Sequence, residues 1–243
     1  MTASRPSPSA RGASRERPAV QKLPTGITSF DVIAKGGLPR HRTTLISGTA
    51  GSGKTVFAIQ FLAAGILGAG EAGVFVTFEE SADDIRKNML SFGWDLARWE
   101  SEGKLAFVDA SPDPAIETIE SGSFDLGALL ARVEHAVKKV GAKRVSVDSL
   151  GAMFSQFSDQ STVRRELFRI ASALKHMEVT ALLTAERTEE YGPIARFGVE
   201  EFIADNVMVL RNVLDGEVRR RTIEILKFRG TDHQKGEYPI VIR

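Results

Sequence analysis

The chain has no cysteine among its 243 residues. That excludes disulfides, thiolate metal sites and a cysteine nucleophile, and it fits a reducing compartment such as the cytoplasm. It has no run of 18 apolar residues, so the sequence offers no membrane-spanning helix. The formal net charge is only +1, which leaves no global field to draw nucleic acid or a membrane surface. The four histidines, His41, His135, His176 and His233, are too scattered to share a metal ion, and no site built from protein ligands alone is expected.

What is present is enough apolar residue, 42%, to bury a core, so the length fits one large α/β domain or two small ones. The near-neutral total hides an asymmetry. Residues 1–20 carry Arg5, Arg11, Arg15 and Arg17 against Glu16 alone, a net of +3, which leaves about −2 for the remainder. This segment is rich in Ser, Pro and Ala, so a disordered basic tail is expected over residues 1–21. It lacks the apolar centre of a secretory signal, and its Arg and Ser content matches a transit peptide only loosely.

Gly48-Thr49-Ala50-Gly51-Ser52-Gly53-Lys54-Thr55 fits G-x-x-x-x-G-K-[ST], the phosphate-binding P-loop, without a mismatch. Glycines at this spacing let backbone N–H groups close around phosphate oxygens, and the helix that follows aims its positive end at the same anion. Lys54 would reach the β- and γ-phosphates, and the Thr55 hydroxyl would ligate Mg²⁺. The setting is the required one: Thr43–Ser47 reads as a buried strand, and Thr55–Ala64 as a helix with one apolar face at about 3.6-residue spacing.

Further apolar strands are expected at Val74–Phe78, Leu105–Val108, Arg144–Val147 and Val179–Thr184. Helices are expected at Asp83–Phe92, Leu126–Val140 and Thr162–His176. Continuous apolar strands separated by helices argue for a parallel sheet covered on both faces. After Asn206 the helices stop. Val207–Leu210, Thr222–Leu226 and Tyr238–Ile242 read as an antiparallel extension of that sheet, with Asp215-Gly216 marking a hairpin.

The chemistry should gather at the carboxyl ends of the parallel strands. Asp148 directly follows Val145-Ser146-Val147, as a magnesium-binding carboxylate does in P-loop enzymes. Glu79 and Glu80 end the second strand. One of them could orient or deprotonate the attacking water, and if the strand continued only one would face it; a capping role near Ser81 is the alternative. Glu186 ends the fifth strand, where it could sense the γ-phosphate, hold a water or simply sit in a solvated turn. Lys227, Arg229, Thr231 and His233 alternate along what reads as an extended segment, which puts them on one face. Such a row suits phosphates or a base, those of a neighbouring subunit included, though a solvated strand face is the competing reading. Arg219-Arg220-Arg221 reads as a solvated edge that discourages aggregation.

This order of motifs resembles the RecA-like ATPases and, more specifically, the first of two tandem domains in the KaiC family of circadian-clock ATPases. Besides the P-loop, the resemblance rests on Gly36–Pro39, Gly73–Glu80, Ser91–Leu96, Asp109–Pro114, Val163–Arg169, Glu189–Arg196 and Leu226–His233, and it covers residues 22–243. It implies an α/β, RecA-like P-loop fold and a homohexamer that binds ATP and Mg²⁺ between subunits. It implies phosphate binding by Thr49, Ala50, Gly51, Ser52, Gly53, Lys54 and Thr55, and metal binding by Thr55 and Asp148. Glu79 and Glu80 match the family's catalytic pair, with Glu79 taken as the main base and Lys54 beside them. Ser91, Phe92 and Trp94 match a region near the adenine. Lys227, Phe228, Arg229, Thr231 and His233 match residues that reach the neighbour's nucleotide. The family's domain hydrolyses ATP slowly to gate docking of the small protein KaiB, and its second domain carries a Ser/Thr autokinase. This chain ends after the first domain's last strand, so it reads as a fragment or as a single-domain relative. The alternative reading is a RecA-, RadA- or DnaB-like ATPase driven by nucleic acid, which the slightly acidic folded part disfavours.

Overall fold

The computed structural model describes residues 20–111, 125–154, 157, 159–196, 198 and 200–242. The expected basic tail lies, apart from its last two residues, outside the described residues, as do Pro112–Pro114.

The chain opens with β1 (Lys22–Leu23), α1 (Thr28–Ile33) and β2 (Leu38–Pro39), β1 and β2 forming a short antiparallel ladder. Then come β3 (Thr43–Gly48), α2 (Lys54–Ala64), a π-helical turn (Gly65–Ala69), β4 (Gly73–Thr77), α3 (Ala82–Leu90), α4 (Leu96–Ser101) and β5 (Leu105–Asp109). They are followed by α5 (Leu126–Val140), β6 (Arg144–Asp148), α6 (Leu150–Phe154), α7 (Gln160–His176), β7 (Thr180–Glu186) and α8 (Glu200–Ile203). The chain closes with β8 (Asn206–Asp215), β9 (Val218–Phe228) and β10 (Glu237–Pro239). The main sheet runs β10-β9-β8-β3-β7-β6-β4-β5. Its six strands from β8 to β5 are mutually parallel, and β9 and β10 extend the edge in antiparallel fashion. The fold is therefore the α/β, RecA-like arrangement that the strand–helix alternation predicts, with one correction: Val207–Leu210, expected in the antiparallel extension, lies in β8 and runs parallel to β3, because the crossover from β7 through α8 returns the chain to the start of β3 before β8 begins. The hairpin sits one residue later than expected: Asp215 pairs with Val218, so the turn is Gly216-Glu217, with Gly216 at φ 63°.

Because the parallel strands are apolar on both sides, each face of the sheet carries a core. On one face, α5 and α7 present stripes at helical spacing, among them Leu129, Val133 and Val137 and then Val163, Leu167, Ile170 and Leu174, against Val74, Val145 and Leu183. On the other face, α2 packs with Phe30, Phe75, Trp94 and Trp99. Here the expectation of a one-faced helix fails. Phe57, Ala58, Ile59, Phe61, Leu62 and Ala63 are all buried, because α1 and the β1–β2 ladder cover the side of α2 that would otherwise be wet. Phe30 meets Phe57 edge to face, with ring centroids 5.5 Å apart.

Two buried side chains fasten α2 to β6. Ser146 Oγ donates to the Ala58 carbonyl at 2.9 Å. Arg144, 1% exposed, donates through Nη1 to the carbonyls of Phe61 (2.9 Å) and Pro24 (2.8 Å), and through Nε to Glu71 at 2.9 Å. Arg144 thus takes the Phe61 carbonyl that a regular α-turn would use, Gly65 N turns instead to the Leu62 carbonyl, and a π-helical turn follows over Gly65–Ala69. A Cβ on Gly65 would lie 2.7 Å from Arg144 Cδ, so only glycine lets the guanidinium pass.

Candidate nucleotide site

β3 delivers the P-loop at the sheet's exit edge, where the parallel strands end. Gly51 (φ 75°) and Gly53 (φ 101°) hold left-handed conformations that suit glycine, and Gly53 is the N-cap of α2. Gly48 is needed for space: a Cβ there would stand 2.8 Å from the Leu210 carbonyl. Lys54 Nζ donates to the carbonyls of Gly48 (2.9 Å) and Thr49 (3.0 Å). Burial lowers the Lys54 pKa, and the nearby carboxylates of Asp148, Glu186, Glu79 and Glu190 oppose that shift.

Asp148 ends β6 beside this loop. Its two carboxylate oxygens accept from the hydroxyls of Thr55 (2.6 Å) and Thr184. Burial drives its pKa up, and the two hydroxyl hydrogen bonds and Lys54 only partly offset this. An oxygen donor set of a buried carboxylate and the Thr55 hydroxyl matches the preference of a hard divalent cation such as Mg²⁺.

The two glutamates separate. β4 ends at Thr77, and the chain bends, held by Phe78 N to the Asp148 carbonyl (2.9 Å) and Thr77 Oγ1 to the Glu80 carbonyl (2.6 Å). Glu79 therefore reaches the Asp148 side, where its Oε1 accepts from Ser149 Oγ at 2.7 Å. Glu80 turns towards α3 and accepts from Asn88 at 2.5 Å. Its pKa is raised by burial, with Asp148 and Asp84 adding to the shift. Neither caps α3. Ser81 does, accepting from Asp84 N. Glu186 pairs in register with Gly48, and Arg187 N donates to the Gly48 carbonyl at 3.1 Å, so β7 braces the loop's first residue.

Several site residues were not singled out from sequence. Glu190 accepts from Thr49 Oγ1 (2.7 Å) and from Asn212 N (3.1 Å), tying the P-loop to β8. Arg211, 7% exposed, holds the Glu190 carbonyl at 3.2 Å and is itself paired with Glu224 at 2.7 Å. Asn212 Nδ2 and Arg221 Nη2 each make a long 3.4 Å contact with the Gly51 carbonyl. Arg219, Arg220 and Arg221 are all exposed, as the solvated-edge reading expects, and Arg220 pairs with Asp215 at 3.1 Å. Thr184 was legible in principle, since it alternates with Glu186 on β7. Glu190 sits in a loop and carries no periodic signal.

Other expected residues lie elsewhere. Trp94 is 8% exposed and belongs to the core. Phe92, 40% exposed, stacks on it at 5.6 Å, and Ser91 is also exposed, so the surface in that region comes from Ser91 and Phe92. The extended face expected for Lys227, Arg229, Thr231 and His233 is not formed, because β9 stops at Phe228 and the chain turns at Gly230 (φ 70°). Lys227 caps the end of α8, donating to the carbonyls of Glu201 (3.1 Å) and Ala204 (2.8 Å); burial, then Arg229, lowers its pKa. Arg229 pairs loosely with Asp205 at 3.7 Å, and His233 packs edge-on against Phe228. Phe228 pairs with Asn206 where β8 begins. This group therefore stands at the sheet's entry edge, opposite the P-loop.

A family model described as "ATPase: KaiC" matches residues 23–243. The chain is 63% identical over 228 residues to the circadian clock protein KaiC3 of Synechocystis sp., covering 94% of this chain and 45% of that protein. It is 59% identical over 223 residues to the circadian clock oscillator protein KaiC of Thermosynechococcus vestitus, covering 92% and 43%. It is 58% identical over 227 residues to the circadian clock oscillator protein KaiC of Synechococcus elongatus, covering 93% and 44%. The chain spans a little under half the length of these curated relatives, in keeping with one RecA-like domain of the family's two. Fold, P-loop geometry and similarity agree, and the chain belongs to the KaiC family of circadian-clock ATPases.

Proposed function

We propose that residues 22–243 form the ATP-hydrolysing unit of a six-membered ring in which each nucleotide is shared by two subunits. The supporting observation is the distance between the two sets of phosphate-binding candidates. The P-loop follows the last residue of β3, whereas Lys227 and Phe228 pair with the first residues of β8, alongside the start of β3. A strand of six residues is about 20 Å long, beyond the reach of one side chain. Lys227 and Arg229 would thus serve a nucleotide held by another copy.

In this reading the backbone of Thr49–Thr55 and the Lys54 ammonium hold the triphosphate of ATP. Thr55 and Asp148 hold Mg²⁺, which neutralises charge developing on the phosphates. Glu79, beside Ser149 and Asp148, orients and deprotonates the attacking water, and Glu80 supports it from the α3 side. Ser91 and Phe92 border the adenine. The neighbour contributes Lys227, Phe228, Arg229, Thr231 and His233. Slow turnover would shift the ring between conformations that differ in affinity for a KaiB-like partner in the cytoplasm, and the whole protein would add a Ser/Thr autokinase through a second domain.

The test is solution mass with and without Mg-ATP, followed by ATP turnover on the same sample. A nucleotide-dependent hexamer with slow turnover is expected. A monomer that hydrolyses ATP at the same rate would overturn the shared site.

A further inference from the structure

The entry edge carries more than Lys227 and Arg229. Beside Arg229, a cavity of about 720 Å³ lies between α7 and the first residues of the parallel strands, bordered by Thr43, Val179 and Asp205. Its lining includes five cationic side chains, Arg164, Arg165, Arg169, Lys175 and Arg229, and one carboxylate, Asp205. In a chain of net +1, that is a marked local excess.

The excess is not neutralised within the fold. Arg165 and Arg169 share one carboxylate, the buried Glu166, at 3.1 and 2.6 Å. Arg42 and Arg229 share Asp205 at 3.4 and 3.7 Å. Arg164 and Lys175 are exposed and make no ion pair among the described residues. Within the same lining, Phe168 is 66% exposed although it lies on a helix whose other large apolar residues are buried. Unspent cations around an exposed aromatic ring suit an acidic protein surface, since Phe, Met and Arg are enriched at protein interfaces.

The exit edge supplies such a surface. α3 begins just past β4 and presents Asp83 and Asp84 in its first turn, with side chains 78% and 58% exposed; Asp83 pairs at i,i+3 with the half-buried Arg86, which Glu100 also holds, and Asp84 accepts from Ser81 Oγ and pairs with exposed Lys87 at 3.6 Å. Ion pairs of such exposed carboxylates are worth little, and Arg86 keeps Glu100 when Asp83 turns away, so both carboxylates can be shared with another partner at small cost. We infer that the α7 groove docks the α3 acidic turn of a second copy, head to tail, so that the contact which brings Arg229 to a neighbour's nucleotide is guided by complementary charge. Heterologous contacts of this kind close into rings when the rotation permits. The inference rests on the shared-site reading proposed above.

A charge swap tests it. Arg164→Glu/Lys175→Glu and Asp83→Lys/Asp84→Lys each reverse one face without touching the P-loop, Asp148, Glu79 or Glu80. Thermal unfolding of each variant serves as the fold control. With Mg-ATP, wild type should give the ring by light scattering. Each folded variant alone should lose it, and an equimolar mixture should regain it, because alternating the two chains restores opposite charge at every contact. A groove variant that forms rings as wild type does overturns this inference and leaves the shared site standing. So does a mixture that stays dissociated. If labelled single-stranded DNA binds wild type and is lost in the groove variant while rings persist, the groove serves nucleic acid and the inference also fails. A wild type that remains monomeric with Mg-ATP overturns both readings.

Discussion

The two edges of the parallel sheet are built on opposite plans. At the exit edge, Lys54, Asp148, Glu79, Thr55 and Thr184 engage protein groups of the same chain, and Asp148 is buried enough that its own ionisation is opposed. At the entry edge, Arg164 and Lys175 lie exposed without an ion pair among the described residues, and Arg229 holds its partner only at 3.7 Å. One edge is preorganised within the chain, at a cost in stability. The other is left unfinished. A preorganised phosphate cradle raises the worth of each contact in the transition state, while an unfinished cationic face keeps its donors available for groups from outside.

The largest effects should come from breaking the exit edge. Glu79→Gln should lower kcat for ATP about 10³-fold and leave nucleotide binding within about twofold, whereas Glu80→Gln should cost about tenfold, because Asn88 and not Ser149 is its partner. Steady-state kinetics with a fluorescent-nucleotide titration separates the two. Equal losses would mean that the split between the glutamates does not survive in the working enzyme. At the entry edge, Arg229→Ala should lower turnover about 10²-fold without shifting the melting temperature. A mixing experiment sharpens this: subunits carrying Arg229→Ala should depress the turnover of wild-type neighbours, and strictly additive rates would return Arg229 to a solvated role.

A smaller effect tests the stability cost directly. Folding raises the Asp148 pKa. A carboxyl with a raised folded pKa favours the folded state fully at pH below its unfolded pKa, and that contribution is lost as pH rises through the folded value. Asp148→Asn should therefore stabilise the protein by about 1 kcal/mol at neutral pH, roughly 2–4 °C in melting temperature, in the absence of Mg²⁺ and nucleotide. The gain should shrink towards zero at pH 4, and calorimetry across pH would show it; a destabilised variant would mean that the two threonine hydrogen bonds outweigh the burial. The smallest effect is local. Asp159 caps α7 through Ser161 and Thr162, which hold its pKa down to about 2. A lowered carboxylate contributes above its unfolded pKa and ceases to as pH falls through the folded one. The first turn of α7 should fray between about pH 4 and pH 2, and Asp159→Ala should show the same faster amide exchange there at every pH.

Much of this was legible because the strands are short, apolar and bounded, so β3 to β7 lie within two residues of their expected places, whereas β8 runs parallel to β3 rather than antiparallel and continues past Leu210 to Asp215. The P-loop was legible because its internal spacing is dictated by phosphate geometry, and the place of Asp148 beside it because a residue that ends a parallel strand must stand at the exit edge. What escaped depends on partners distant in sequence. The enclosure of α2 requires α1 on its outer side. Glu190 is recognisable only once β8 brings Asn212 beside Thr49. The alternation of Lys227 to His233 promised one face, and a glycine at φ 70° broke it.

The bond between Arg144 and the widened turn at Gly65 has a consequence for how this sequence can change. Any side chain at Gly65 collides with a guanidinium that has no room to retreat, and removing the guanidinium leaves Glu71 with Arg40 alone and takes a donor from the carbonyls of Phe61 and Pro24. The two positions can be exchanged only as a pair. Such a lock keeps the rear of the P-loop helix fixed to the strand that carries Asp148, so variation that accumulates elsewhere in the chain leaves the offset between the P-loop and that carboxylate unchanged.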